Sequence, residues 1–265
     1  MTVRIEKSGS VWTVIHSRPE AKNAMDPESA TALYNAFLAF DAASDASVAV
    51  FYGEGGAFCA GYDLKSASTQ GSDGPLSKLE FPSDKNAPTP GPMGPSRLAL
   101  SKPVIAAIEG PAVAGGMELA LWCDVRIMAE TAYMGVYCRR WGVPLIDGGT
   151  VRLPRLVGQG RAMELILTGR RIDAEECGRI GLAEKVVPAG QARAAAEAMA
   201  AEIARFPQAC VRADRRSVYL QHGHSVRDAL ELEWASSSPV FEAEGRAGAA
   251  RFTSGKGRSG DFGSI

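Results

Sequence analysis

Two stretches decide how this chain is read: Gly55-Gly56-Ala57-Phe58-Cys59-Ala60-Gly61-Tyr62-Asp63-Leu64 and Gly110-Pro111-Ala112-Val113-Ala114-Gly115-Gly116-Met117-Glu118-Leu119-Ala120. Each follows an apolar run that reads as a buried strand, Val48-Ala49-Val50-Phe51-Tyr52 before the first and Val104-Ile105-Ala106-Ala107-Ile108 before the second. The second continues into an apolar helix-like segment, Met117 to Cys123. Glycine at a strand-to-helix turn lets backbone approach a ligand and aim N–H groups at it. Two such turns supply two donors to one oxygen, the design of an oxyanion hole. A carboxylate, Glu118, stands beside the second turn.

Length and composition bound the rest. A chain of 265 residues allows one large domain, or a domain with an appendage. With 46% hydrophobic and 22% charged residues the chain is an ordinary globular sequence, and a net charge of −1 gives no reason to expect nucleic acid. Met1 to Ser10 is polar and alternating, without the apolar core of a signal peptide. No apolar run approaches the roughly 18 residues that a membrane-spanning helix needs, so no membrane partner is expected. The cysteines (Cys59, Cys123, Cys138, Cys177, Cys210) are odd in number and widely spaced, which reads as reduced thiols in a cytoplasmic protein. No Cys/His cluster predicts a metal. His16 closes a strand pattern and reads as structural; His222 and His224 fall between helical segments.

Outward from the two turns the order is α/β. Val3 to Ile15 predicts a hairpin around Lys7-Ser8-Gly9-Ser10. Asp26-Pro27-Glu28 is a helix start, with Asp26 as cap, and Ala30, Leu33, Phe37 and Phe40 follow at helical spacing. Strand, turn, helix, strand then recur, which predicts crossover connections. Ser66 to Pro95, rich in Ser, Gly and Pro, reads as a long loop: a lid over the site or a disordered surface insertion. Helices are predicted at Thr150–Leu156, at Ala162–Thr168 with Gly169 as its stop, and after Asp173, followed by a short strand at Val186-Val187. From Gln191 the chain reads as helical, with Val226, Leu230 and Trp234 on one face.

The candidate chemistry narrows by elimination. The glycines at 53, 55, 56 and 61 do not spell a dinucleotide fingerprint, no phosphate loop with Gly-Lys-Ser/Thr is present, and no Gly-x-Ser-x-Gly elbow exists. Glu118 has two readings: a carboxylate that favours a helix N-terminus, or an acid–base group whose apolar surroundings raise its pKa. Asp147, before Gly148-Gly149, is either the cap of the next helix or a second acid–base group. Asp63 reads as a cap, Asp124 as structural, and Arg139-Arg140 as surface charge or a subunit contact.

Five segments together resemble the crotonase (enoyl-CoA hydratase/isomerase) superfamily. They are Ala57 to Leu64, Lys102 to Gly110, Ala114 to Ala120, Asp147-Gly148-Gly149-Thr150, and Glu164-Leu165-Ile166-Leu167-Thr168-Gly169-Arg170. The match runs from about Ile5 to Val187. It implies an α/β fold, a crotonase-like spiral of ββα repeats over residues 1–190, followed by a helical trimerisation region over 191–265. It implies an acyl-CoA thioester substrate, coenzyme A as part of that substrate with no separate cofactor, and a homotrimer or hexamer.

By the same resemblance the amides of Tyr62 and Gly115 would form the oxyanion hole, and Ala24, Ala60, Asp63 and Leu64 would line the CoA path. Glu118 matches the first of the two glutamates with which family hydratases hold water; the second would fall where this chain has Cys138. Asp147 is near the acidic position of the dienoyl-CoA isomerases. The resemblance therefore implies an enoyl-CoA hydratase-like enzyme with Glu118 as acid and base. The alternatives are an enoyl- or dienoyl-CoA isomerase using Glu118 and Asp147, or a non-catalytic acyl-CoA binder.

Overall fold

The structure, a computed structural model, describes residues 2–69, 71, 74, 76, 79–85 and 87–257. Strands β1 (Val3–Ser8) and β2 (Val11–His16) form the expected hairpin, but they pair up to Ser8 and Val11, leaving only Gly9 and Ser10 to turn. Helix α1 (Pro27–Ala42) starts as its sequence dictates, with Asp26 Oδ1 accepting from the Ser29 N–H at 2.8 Å. Strand β3 (Val48–Gly53) leads to the first glycine turn and to the short helix α2 (Leu64–Thr69). Strand β4 (Val104–Ile108), the three-residue strand β5 (Pro111–Val113) and helix α3 (Gly115–Trp122) carry the second turn. After β6 (Val125–Ala129) and β7 (Tyr133–Gly135) come helices α4 (Gly149–Val157) and α5 (Gln159–Thr168), strand β8 (Arg171–Asp173), helix α6 (Ala174–Arg179), strand β9 (Lys185–Val187) and helix α7 (Ala192–Ala204).

Two sheets result. The larger has the order β1-β2-β3-β4-β6-β9, and every pairing after the first hairpin is parallel. The smaller, β5-β7-β8, was not expected from the sequence. Its strands are three residues each, too short for an alternation to be recognised. It matters for the site because β5 delivers the chain into the second glycine turn, and the Ala114 N–H at its end bonds the β7 residue Gly135.

The aromatic core fixes where these turns sit. Phe37 of α1 meets Phe51 of β3 and Trp122 of α3 edge-on, at centroid distances of 5.4 and 4.9 Å. Phe51 in turn meets Phe58 of the first turn at 5.0 Å. Phe37, Phe51 and Phe58 are fully buried, so one cluster joins α1, β3, the first turn and α3.

The segment from 66 to 95 differs from a plain loop at both ends. Its start lies in α2, and Gly91 to Ser96 are buried. Residues 70, 72, 73, 75, 77, 78 and 86, on which much of the lid-or-disorder reading falls, lie outside the described residues. Asp124 is structural as expected, accepting the Val104 N–H at 2.8 Å.

The chain divides into two compact units after Ala201. In the second, α8 (Gln208–Leu220) and α9 (Val226–Val240) pack on each other, and a π-helical segment, Phe241–Gly245, joins α9 to α10 (Arg246–Thr253). His222 and His224 lie in the α8–α9 connection, exposed.

Asn23, read only as part of a polar loop, turns out to hold that loop. It is fully buried with φ +56°, a left-handed conformation that Asn tolerates. Its amide donates to the Glu54 and Ala57 carbonyls at 2.8 and 2.7 Å and accepts from the Arg18 N–H at 2.7 Å. Asn23→Ala removes all three bonds and leaves the Ala57 carbonyl bare inside the protein. It is expected to destabilise the fold by about 3 kcal/mol, read from the urea midpoint.

Candidate active site

The two glycine turns are bound to one another along their backbones. Cys59 and Ala112 form a parallel bridge, the Phe58 and Cys59 N–H groups converge on the Pro111 carbonyl at 3.0 and 3.1 Å, and the Val113 N–H returns to the Cys59 carbonyl at 3.0 Å. Gly61 then lies directly against the start of α3. A Cβ on it would sit 2.8 Å from Ala114 Cβ and 3.2 Å from the Gly115 nitrogen, and its φ of +95° favours glycine independently. Tyr62 follows immediately in the chain. First-turn N–H groups of a helix have no partner within it and point outward. Ala114 achieves the sharp entry with φ +53° and ψ −126°, a conformation that costs an alanine about 1–3 kcal/mol.

The first turn is also tied to the segment before α1. The Met25 N–H donates to Gly61 O at 2.7 Å, the Asp63 N–H to Met25 O at 2.8 Å, and the Ala60 N–H to Lys22 O at 3.1 Å. This brings Ala24, Ala60 and Asp63 together along one seam. Asp63 caps α2, its Oδ1 accepting from Lys65 and Ser66 N–H groups at 3.0 and 3.3 Å, and its Oδ2 pairs with Arg18 at 3.2 Å. Leu64 is 42% exposed at the start of α2.

Helix α3 is buried at every position, and Glu118 is its one ionisable residue. Such a carboxylate must be compensated. Its Oε1 accepts two backbone N–H groups, from Asp147 just before α4 at 2.9 Å and from Gly149 at its start at 2.8 Å. A Cβ on Gly149 would stand 3.0 Å from Glu118 Oε1, so the glycine allows the carboxylate its seat. Both bonds fall on one oxygen, Oε1. Burial, and then the charge of Asp147, push the Glu118 pKa up to about 7; the two N–H groups and Arg152 oppose the rise. A carboxyl poised there exchanges protons at neutral pH.

Asp147 does not cap α4, whose cap residue is Gly148 and takes no side-chain bond. Its carboxylate turns the other way. Oδ1 accepts the Met93 N–H at 3.0 Å and the Ser96 hydroxyl in a short hydrogen bond. Burial raises its pKa, against the pull of Ser96, the Met93 N–H, Arg97 and Arg152. Arg152 also bonds the Asp147 and Ser96 carbonyls at 2.9 and 2.8 Å. Gly91, Met93 and Ser96 sit in a Gly/Pro-rich stretch with no periodicity, so no sequence signal marked them.

Cys138 lies in a 3-10 turn, Tyr137–Trp141, and is 7% exposed. Burial and then the Glu118 charge raise its pKa and keep the thiol neutral. Arg139 and Arg140 are surface residues, the first bonded to Ile166 O at 3.3 Å and the second stacked on Tyr137 at 3.8 Å. His16 is fully buried, with its pKa lowered by burial to about 4. Among the described residues no group of three or more His, Cys, Asp or Glu is placed to hold a metal, and no helix is long and apolar enough to cross a membrane.

The profile of a family described as enoyl-CoA hydratase/isomerase matches residues 6–254. The chain is 34% identical over 244 residues to enoyl-CoA hydratase EchA19 of Mycobacterium tuberculosis, spanning 89% of this chain and 87% of that protein. It is 40% identical over 190 residues to the putative enoyl-CoA hydratase/isomerase YngF of Bacillus subtilis, spanning 71% and 69%. A crystal structure of enoyl-CoA hydratase from Mycobacterium tuberculosis H37Rv superposes with a TM-score of 0.86 at 31% identity, covering 96% of each chain.

The raised pKa of Glu118 has a consequence for folding. The folded carboxyl keeps its proton to about pH 7, against an ordinary 4.5, so stability falls as pH rises through this interval and is level above it. Glu118→Gln has no proton to lose. Its stability relative to the parent is expected to climb across the same interval, in urea titrations repeated at successive pH values; a pH-independent difference would contradict the raised pKa.

Proposed function

Because the chain belongs to the enoyl-CoA hydratase/isomerase family, we propose that it hydrates 2-enoyl-CoA thioesters with Glu118 as both acid and base. The observation that carries this reading is the seating of Glu118: one oxygen fixed by the Asp147 and Gly149 N–H groups, the pKa near 7, the two glycine turns alongside. The Tyr62 and Gly115 amides polarise the thioester carbonyl. Glu118 Oε2 takes a proton from water as the oxygen attacks C3. The C2–C3 electron pair shifts toward the carbonyl, and the oxyanion hole holds the enolate charge. The proton on Glu118 then passes to C2, so the elements of water are added and the carboxylate is restored. Ala24, Ala60, Asp63 and Leu64 line the path of the CoA, along the seam between the first turn and the segment before α1. Coenzyme A arrives with the substrate, and no further cofactor is required.

Cys138 supports a second reading. A neutral thiol at that position does not take a proton from water, which suits an isomerase that only moves a proton along the acyl chain, with Asp147 sharing the transfer. Following crotonyl-CoA by loss of enoyl absorbance, and 3-enoyl-CoA by its gain, separates the two. In the hydration reading crotonyl-CoA is consumed, kcat/KM rises with pH through about 7 as Glu118 loses its proton, and Glu118→Gln loses about 10²–10⁴-fold in kcat. Consumption of no enoyl-CoA of any chain length would leave the non-catalytic binder.

We also place the protein in the cytoplasm as a homotrimer or hexamer assembled through the region after residue 190. The cysteines are free, as a reducing compartment requires, and Val226, Leu230 and Trp234 of α9 are 79%, 56% and 73% exposed in the single chain. Light scattering is expected to give three or six chains, and Trp234→Glu to lower that number; a monomeric parent would rule the assembly out.

A further inference from the structure

The segment Gly91 to Ser96 is buried although it belongs to no sheet or long helix. Two contacts explain why. Met93, fully buried, lies across the second glycine turn, so that a Cβ on Gly115 would be 2.6 Å from its sulfur. Ser96, 1% exposed, donates its hydroxyl to Asp147 Oδ1, which also receives the Met93 N–H. Gly91 makes room for this pair: a Cβ there would collide with the Ser96 hydroxyl and stand 2.8 Å from Asp147 Oδ1. The same residue, Asp147, gives its backbone N–H to Glu118 Oε1.

We propose that Asp147 and Ser96 are positioning residues, through which one clasp holds both the methionine covering Gly115 and the carboxylate that handles the proton. The inference rests on the reading of Glu118 as the acid–base group. Side chain and backbone of Asp147 point to opposite partners, so strain on the 91–96 segment is transmitted to Glu118 through a single peptide. The carboxylate also acts on Glu118 by its charge. The charged and titratable groups facing Glu118 are Asp147, Arg152 of α4, and Cys138 of the 3-10 turn. Those facing Asp147 are Arg97, Arg152, Glu118 and Cys59 of the first turn. Within this set Asp147 is the anion that opposes the ionisation of Glu118, and Arg152 favours it. Oδ1 receives both donors, so an amide oxygen in its place can keep the clasp while losing the charge.

Asp147→Asn and Ser96→Ala in the full-length protein test this. The readouts are the titration of the Glu118 carboxyl by NMR and the pH dependence of kcat and KM on an enoyl-CoA. Asp147→Asn is expected to move the Glu118 titration, and the acid limb of the rate profile, to lower pH while plateau kcat stays within about tenfold of the parent. Ser96→Ala, which loosens the clasp and leaves the charge, is expected to lower kcat about tenfold with KM within about twofold. A larger loss of kcat in Asp147→Asn at every pH would show that Asp147 itself handles a proton. An unmoved Glu118 titration, or a Ser96→Ala enzyme equal to the parent, would equally overturn the proposal. A parent protein without turnover, but with a shifted titration in Asp147→Asn, would instead defeat the reading of the reaction and leave the clasp standing.

Discussion

A carboxylate buried in a helix with no polar face is the constraint on which the rest of this molecule depends. Helix α3 is short and covered on all sides, and Glu118 sits in its first turn. An ion there is tolerable only if something meets it. What meets it is backbone: the Asp147 and Gly149 N–H groups, both on one oxygen. Backbone donors are fixed by the chain path, so they orient the carboxylate without spending side-chain freedom. They also incompletely offset the burial, and the group stays near neutrality in its proton affinity. A stronger set of donors would favour the anion and pull the pKa back down.

The same economy governs the two glycine turns. They lie against each other because strands β3 and β4 are parallel neighbours and because β5 carries the second turn across the first. Gly61 meets the start of α3 at a distance where no side chain fits. The aromatic cluster of Phe37, Phe51, Phe58 and Trp122 keeps the two elements from sliding. Where the chain lacks a glycine, at Ala114, the left-handed turn is retained with strain, anchored by the bond to Gly135. Strain of that kind persists only where the surroundings enforce it.

Much of this was legible in the sequence, for local reasons. Glycine-rich turns after apolar strands, an Asp-Pro helix start, Gly169 as a helix stop and Asp173 as a cap are signals carried by neighbouring residues, and the structure repeats them. Glu118 stood out because a carboxylate within an apolar run is anomalous on its face. The three-residue strands of the small sheet, the anchoring by Asn23 and the burial of Gly91 to Ser96 were not legible. Each depends on partners tens of residues away, and none leaves a periodic trace.

Asp147 shows where the line falls. Its sequence position, before a Gly-Gly pair and a helix, suggested a cap or an acid–base group, and no local feature could choose. The fold did not make it the helix cap; it sent the side chain to Met93 and Ser96 and the N–H to Glu118. The amino-acid sequence by itself determined the fold class, the two turns and the presence of a buried acid, because these follow from residue type and short-range spacing. Only the tertiary structure decided which oxygen of that acid is held and which group shifts its pKa. Such bonds and electrostatic effects are set by distance in space, and distance along the chain carries no record of them.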